Sequence, residues 1–280
     1  MTHQDIYSLI TSEQVNYKLP IKIIDGYDWG MWDHIRTTIL YKNSIYKSGK
    51  DDNKPFKNII RPILNLAHRA EGFDVKDIVL YINDKYKYFK SFLVKKFHEN
   101  WAREVGLDTF IDEMVETWVD FGGVLVKDTD KPEVVPWQRI AFVDQTDILS
   151  GPICEHHYFS PDQLKEMESK GWQNIDEVIS LARKKEENKN TDITQEKAKT
   201  PGKYIEVYEV HLMAPRFWLY DRDEGGNYSG KYFDESEESK DTEYVRQVHI
   251  CTFYQAEGKI KTGVTLYKSK ENKLPYKLCL

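Results

Sequence analysis

The chain has 280 residues, of which 40% are hydrophobic and 13% aromatic, enough to bury the core of one large domain or two. Its formal net charge of −6 argues against a protein whose whole surface binds nucleic acid through phosphates. The three cysteines, Cys154, Cys251 and Cys279, form no CxxC pair, and no run of about 18 apolar residues occurs. We therefore expect neither a disulfide framework nor a membrane span, and a reducing, intracellular setting.

Two helices and a strand are predicted early in the chain. Residues 61–72 and 89–105 carry apolar side chains at helical spacings, and each segment reaches a glycine, Gly72 or Gly106. A short strand is predicted between them, over residues 77–82.

Residues 108–127, DTFIDEMVETWVDFGGVLVK, form a third helix that turns at once into a strand. Asp108 is expected to cap the first turn, and Gly122 and Gly123 supply the permissive backbone of a helix end. Val124 begins the strand. The apolar stripes of this helix and the preceding one predict a structural core. Its proposed members are Phe97, Trp101, Phe110, Met114 and Trp118.

The next segments alternate short strands with helices. VVPWQRIAFVDQ (134–145) and GPICEHHYF (151–159) are typical of strands in a mixed or antiparallel sheet. Ser160 followed by Pro161 indicates a helix start, because serine caps a helix and proline suits its first position. A second helix is predicted over residues 174–187.

A change of composition divides the chain. Residues 188–202 contain one large apolar side chain, Ile193, and cannot offset their ordering entropy, so we predict a flexible linker. It separates a helical and mixed-sheet region, 1–187, from a β-rich segment, 203–280. The predicted strands of that segment are 203–213, 244–255 and 259–268, the last two forming a hairpin. The fold class is therefore α+β.

Two groups of residues could ligate a metal, but each has an ordinary structural interpretation. Asp128 and Asp130 form a DxD pair, yet DTDKP is also the sequence of a hairpin turn. The run CEHH (154–157) lies on a predicted strand, where alternation leaves Cys154 and His156 on one face. No spaced partner completes a ligand set.

Two further motifs fail on their physical requirements. GGNYSGKY (225–232) nearly matches a P-loop, but Tyr232 replaces the magnesium-binding hydroxyl residue and the flanking loop is acidic. PDQLKEMESK (161–170) resembles a nuclease string, but Asp162 and Glu168 lie about 240° apart around a helix and diverge. We predict no enzyme, no catalytic residue, no cofactor and no bound metal.

Residues 41–61 hold six basic and two acidic residues with aromatic side chains between them. Such a segment could contact a nucleic-acid backbone. A solvated loop around a Lys-Pro turn is the ordinary alternative. The candidate contacts with nucleic acid or with another subunit are Lys42, Lys47, Lys50, Lys54, Lys57 and Arg61.

The order of four segments resembles a known family. They are NKPFKNIIRPILNLA, a helix ending in WAREVGL, then DTFIDEMVETWVDFGGVLVK, then IAFVDQTDILSGPICEHHYFSPDQLKEMESKGW. This order resembles the N-terminal half of tailed-bacteriophage portal proteins and is most similar to those of crAss-like phages. The similar region runs from about Asn53 to Trp172, and YIEVYEVHL (204–212) continues it more weakly.

The resemblance implies a wing-type domain. In such a domain two helices are followed by a small sheet, and together they form much of the wing that surrounds the ring. The resemblance also implies that residues 108–127 are scaffold within that wing. Portal subunits are normally longer, with stem and clip segments after the wing. We therefore expect this chain, which stops at LPYKLCL, to be truncated at its C-terminus or excerpted from a longer protein.

The function implied by the resemblance is that of a structural ring subunit at one capsid vertex. Such rings usually have twelve copies, and a closed ring needs two different contact patches on each subunit. Double-stranded DNA would pass through the ring during packaging and ejection. The implied protein partners are the major capsid protein, the terminase large subunit and neck or adaptor proteins, with assembly in the host bacterial cytoplasm and a final location in the virion. No membrane partner is implied.

Two other classes stay open. One is a different DNA-contacting structural protein that uses residues 41–61, and a salt-dependent affinity for DNA would favour it. The other is a metal-dependent enzyme that uses Asp128 with Asp130, or Cys154 with His156, and stoichiometric bound metal would favour that.

Overall fold

The computed structural model describes residues 3–24, 27–43, 60–70, 78, 80, 82–142, 147, 149–189, 204–222, 228–233, 242–256 and 259–279. The fold class is α+β, as predicted. The chain forms two compact units: unit 1 comprises residues 1–19 and 139–274, and unit 2 comprises residues 20–138 and 275–280. Among the described helices none is long and apolar enough to cross a membrane.

The longer helices are α1 (His3–Lys18), α2 (Met31–Lys42), α3 (Ile60–Ala70), α4 (Tyr88–Val105), α5 (Leu107–Phe121), α6 (Pro161–Glu166) and α7 (Ile175–Lys189). The strands are β1 (Ile21–Ile24), β2 (Tyr27–Trp29), β3 (Val124–Lys127), β4 (Glu133–Val135), β5 (Ile140–Phe142), β6 (Ile153–Phe159), β7 (Ile205–Pro215), β8 (Asp221–Arg222), β9 (Tyr228–Ser229), β10 (Tyr244–Ala256), β11 (Lys259–Lys270) and β12 (Tyr276–Cys279). Short 3₁₀ turns connect several of them. The strand predicted over residues 77–82 falls largely outside the described residues.

Unit 1 is built on a five-stranded antiparallel sheet with the order β11-β10-β7-β6-β5. β10 and β11 form the predicted hairpin. β6 pairs with β7 along its whole length, so segments on both sides of the predicted linker share one sheet. The two units therefore differ from the predicted division into residues 1–187 and 203–280. Residues 190–202 of the predicted linker lie outside the described residues.

Helices cover both faces of this sheet. α1 packs on one face, burying Ile6, Ile10 and Tyr17, and the Tyr17 ring lies 4.7 Å from that of Phe142 on β5. α6 and α7 cover the opposite face. The buried core on that side comprises Leu164, Ile175, Val178, Ile179, Ile205, Val207, Val248, Ile250, Val264 and Leu266.

The start of α6 confirms the prediction made from Ser160 and Pro161. The Ser160 hydroxyl accepts a hydrogen bond from the backbone N–H of Gln163 at 3.3 Å, and the Gln163 side-chain oxygen accepts one from the backbone N–H of Ser160 at 2.9 Å. This reciprocal capping box satisfies two backbone donors that a helix start would otherwise leave without partners.

Unit 2 contains the four helices α2, α3, α4 and α5 and a small sheet of order β12-β3-β4. α4 ends at Gly106 (φ 70°) and α5 at Gly122 (φ 75°), and both glycines adopt the left-handed conformation that commonly ends helices. The predicted cap at Asp108 is wrong. α5 begins at Leu107 after Gly106 and has no side-chain cap, so Asp108 lies inside its first turn. β3 begins at Val124, as predicted.

The predicted core of α4 and α5 is wrong for its largest side chains. Phe97 is 75% exposed, Trp101 38% and Trp118 40%, while Phe110 and Met114 are half-buried. Periodicity identifies the apolar side of a helix but not what covers it. Among the described residues α4 packs mainly on α5 and on a short 3₁₀ turn, so most of its stripe stays uncovered. The core of unit 2 instead surrounds the small sheet, with Val124, Leu125, Val135, Trp137 and Tyr276 buried.

Candidate functional site

One exposed apolar surface of unit 2 lies on α4. We call it the α4 face; it consists of Phe89, Leu93, Phe97 and Trp101, which follow one another at intervals of four residues and are 70%, 51%, 75% and 38% exposed. At roughly 200 Å² of surface for each large side chain, these fractions amount to roughly 450 Å². Contiguous apolar patches larger than a few hundred Å² mark interaction sites on soluble proteins. The α4 face is therefore a candidate interface.

Charged residues also line α4. The Lys96 ammonium lies 2.7 Å from the Glu99 carboxylate, and that of Lys95 lies 4.0 Å from it. The hydrogen bond from Lys96 is the main reason that the pKa of Glu99 falls below its usual value. A charged flank beside an apolar patch is the usual anatomy of a protein interface with its rim.

A second apolar surface lies on α3. Ile60, Ile63 and Leu66 are 39%, 61% and 70% exposed, and none of the residues of this helix is buried. Unit 2 thus presents exposed apolar side chains on two different helices.

The predicted contact residue Lys42 makes two ion pairs inside unit 2. Its ammonium lies 2.5 Å from both the Glu116 and the Asp120 carboxylates, and the Asp120 side chain is 3% exposed. Burial lowers the pKa of Lys42, but hydrogen bonds to Asp120 and Glu116 outweigh that effect and raise it. Lys42 therefore joins α2 to α5, and its assignment as a nucleic-acid or subunit contact stays a prediction.

The other predicted contact residues fall into two groups. Lys47, Lys50, Lys54 and Lys57 lie outside the described residues. Arg61 lies exposed in the first turn of α3. The interpretation of this segment as a contact surface stays a prediction.

A histidine–glutamate cluster lies on the sheet face that α6 and α7 cover in unit 1. We call it the E-x-H cluster; it comprises Glu155 and His157 on β6, Glu209 and His211 on β7, and Glu271 just after β11. Glu155 and Glu209 are direct cross-strand partners. Nε2 of His157 lies 3.1 Å from Oε2 of Glu209 and 3.6 Å from Oε1 of Glu155.

His211 is the more buried of the two histidines of this cluster. Its side chain is 2% exposed, with Nε2 2.8 Å from Oε1 of Glu209 and Nδ1 2.8 Å from Oε2 of Glu271. Burial lowers the pKa of His211, but the hydrogen bonds to Glu209 and Glu271 outweigh it and raise the pKa. With a carboxylate at each nitrogen, the imidazole donates from both.

The metal-ligand pair considered in the sequence lies on the other face of the sheet. His156 stacks on Tyr208 with centroids 4.7 Å apart and planes 4° apart, and burial lowers the pKa of His156. Cys154 is buried, which raises the pKa of its thiol. Cys154 and His156 share one face of β6, as predicted, whereas the converging set lies at the alternate positions, Glu155 and His157.

A signal for that set exists in the sequence. The pattern Glu-x-His occurs at residues 155–157 and again at residues 209–211, and both segments are predicted strands. On a strand, positions i and i+2 share a face. What the sequence does not show is that these two strands are neighbours in register.

Asp128 and Asp130 occupy the exposed turn between β3 and β4, where the turn interpretation placed them. Lys277 of β12 lies 2.7 Å from the Asp128 carboxylate, and the two side chains are 65% and 39% exposed. Lys231 follows Gly230 (φ 100°) and lies 5.4 Å from the centroid of the Tyr232 ring.

A cleft of about 670 Å³ in unit 1 is lined by residues that include Trp218, Lys231, His249 and Lys268. Burial, followed by the nearby Lys268 charge, lowers the pKa of His249 to about 3. Nε2 of His249 lies 2.9 Å from the Gln247 amide oxygen, and Lys268 donates to the Tyr220 carbonyl at 3.0 Å. His249 and Lys268 thus make hydrogen bonds within the unit.

Comparison of the chain with protein-family models and with curated proteins finds no match. Function therefore rests on the residues and geometry of the chain itself.

Proposed function

We propose that this chain is a structural subunit of a bacteriophage portal ring. The observation that carries the proposal is the α4 face, which exposes four large apolar side chains along one side of a helix. Leaving such a surface in water is unfavourable, and covering it is the main driving force of subunit association.

The α4 face is large enough to form part of a stable protein interface. Its exposed area of roughly 450 Å² is about half of the share, roughly 800 Å², that each partner contributes to an interface of standard size. At about 25 cal/mol per Å², covering it would supply roughly 11 kcal/mol before the costs of association are subtracted. Aromatic residues such as Phe97 and Trp101 are also the type enriched in interface cores.

A ring of identical subunits needs two different patches that meet, because each subunit contacts one neighbour on either side. Unit 2 offers the α4 face and the exposed residues of α3, Ile60, Ile63 and Leu66. Both lie within the segment Asn53–Trp172 that resembles the portal wing.

The remaining parts of the proposal follow from the same resemblance. Double-stranded DNA passes through the assembled ring, and terminase large subunit, neck proteins and the major capsid protein contact it in the virion. Arg61 and the lysines of residues 47–57 are the candidate contacts with DNA or with a neighbouring subunit. This role requires no catalytic residue and no cofactor.

The test is the mass and shape of the purified assembly, from native mass measurement and negative-stain imaging. Both this chain and any longer version encoded by the same reading frame should be examined. Rings with a central hole are expected, and Phe97→Glu should reduce them to smaller species because it places a charge in the α4 face. Tyr204→Glu, at a side chain 62% exposed in unit 1, is the matched control and should leave the rings intact.

Thermal unfolding of Phe97→Glu should match that of the wild-type monomer, since the ring of Phe97 is three-quarters exposed. A compact monomer from both chain lengths at every concentration would sink the proposal. Salt-dependent DNA binding without rings would favour the other DNA-contacting structural protein instead.

A further inference from the structure

We propose that the E-x-H cluster is a binding site for a divalent transition-metal ion, with Glu155, His157 and Glu209 as ligands and Zn²⁺ as the ion that tests it. The site lies in unit 1 and does not depend on the proposed ring function.

The geometry already matches the requirement of one ion. One ligand atom from each of Glu155, His157 and Glu209 lies within 4.8 Å of the others. Zn²⁺ binds nitrogen and oxygen ligands at about 2.0–2.2 Å, so two ligands of one tetrahedral ion lie roughly 3.3–3.6 Å apart. The two separations from His157 Nε2 are 3.1 and 3.6 Å. An ion could therefore enter with little movement of the side chains.

The ligands lie on two strands that are paired with each other. β6 supplies Glu155 and His157, and β7 supplies Glu209, with Glu155 and Glu209 paired directly across the ladder. Like charges in such opposite positions destabilise a sheet. A cation between the two carboxylates converts that repulsion into attraction and joins strands that are distant in sequence.

Hydrogen bonds from residues behind the site orient one of the ligands, Glu209. His211 donates to Oε1 of Glu209, which leaves Oε2 of the same carboxylate directed at His157. Glu271 in turn accepts from Nδ1 of His211. Chains of hydrogen bonds behind a metal ligand fix its orientation and are a regular part of metal sites.

The donor set indicates the class of ion. Imidazole nitrogen suits zinc, iron, nickel and copper, whereas magnesium and calcium prefer sites built from oxygen alone. The five side chains of the cluster carry three carboxylates against two imidazoles, so the cluster is acidic even with both imidazoles protonated. The side chains of Glu155, Glu209 and His157 are 5%, 14% and 20% exposed, which leaves the site partly open to an ion from solvent.

The experiment is a calorimetric titration of the full chain with Zn²⁺ after treatment with a chelator. We expect one equivalent to bind to the wild-type chain, and at least tenfold weaker binding to His157→Gln and to Glu209→Gln. His156→Gln is the matched control, because His156 is adjacent in sequence but lies on the opposite face of β6; it should bind zinc as the wild type does. Zinc should raise the melting temperature of the wild type and of His156→Gln, but not that of His157→Gln.

Three outcomes would overturn the proposal. They are the absence of stoichiometric zinc binding to the wild type, full binding by His157→Gln, or equal loss of binding in His156→Gln. If Glu209→Gln does not fold, His157→Gln decides the matter alone, since its side chain is more exposed. Mg²⁺ should bind far more weakly than Zn²⁺, and equal affinity would reject the transition-metal assignment.

Discussion

Raising the pH should weaken the folded state through one buried carboxyl group, Glu13 on α1. Glu13 is 4% exposed, and within the described part of the chain its Oε2 has no hydrogen-bond partner. Burial raises its pKa from 4.5 to about 7. The folded state therefore binds this proton more tightly than the unfolded chain does, and stability falls as the proton is lost.

The magnitude follows from the size of the shift. One pKa unit corresponds to about 1.4 kcal/mol, so a rise from 4.5 to about 7 is worth at most about 3 kcal/mol. This contribution is fully present below the unfolded pKa of 4.5 and is lost as the pH rises through about 7. Glu13→Gln stays neutral and should resemble the protonated acid at every pH.

The assay is urea unfolding of both chains, followed by circular dichroism, from about pH 4.5 to about pH 8. We expect the two chains to be nearly equally stable at the acidic end and the variant to be about 3 kcal/mol more stable at the alkaline end. All other titrating groups are common to both chains, so the difference isolates Glu13. Glu168→Gln, at an exposed position after α6, is the control for the change of glutamate to glutamine. A Glu13→Gln chain with the pH dependence of the wild type would refute the reasoning.

Three further substitutions test packing and capping. Trp137→Phe removes the hydrogen bond from the indole N–H to the Gly123 carbonyl, 3.2 Å long and buried, and should cost about 2 kcal/mol in urea unfolding. A double-mutant cycle with Lys42→Met and Asp120→Asn should give a coupling energy of about 1 kcal/mol, because Asp120 is buried and Lys42 is a third exposed. Additive effects of the two substitutions on stability would contradict the ion pair. Ser160→Ala should cost about 1 kcal/mol, whereas an unchanged unfolding midpoint would show that the capping box does not stabilise α6.

The sequence predicts local features of the fold where residues close in the chain determine them. Gly106 and Gly122 end their helices in the left-handed conformation, and Ser160 begins α6, because these choices depend on residues only a few positions apart. α1 was missed although Ile6, Ile10 and Tyr17 have helical spacing, because the polar residues between them weaken the apolar pattern.

Residue periodicity also showed which side of α4 is apolar, but not whether that side is covered. Phe97 and Trp101 were assigned to a core on that basis, yet the described neighbours of α4 leave both exposed. Coverage depends on elements far away in the chain, about which a local pattern contains no information.

The E-x-H cluster, too, could be predicted only in part from the sequence. Sequence alone determines that Glu155 and His157 share a face of β6, and that Glu209 and His211 share a face of β7, because side chains alternate along any strand. Only the tertiary structure decides that Glu155 lies opposite Glu209. Strand pairing is a long-range contact whose register depends on the whole sheet and the helices packed on it.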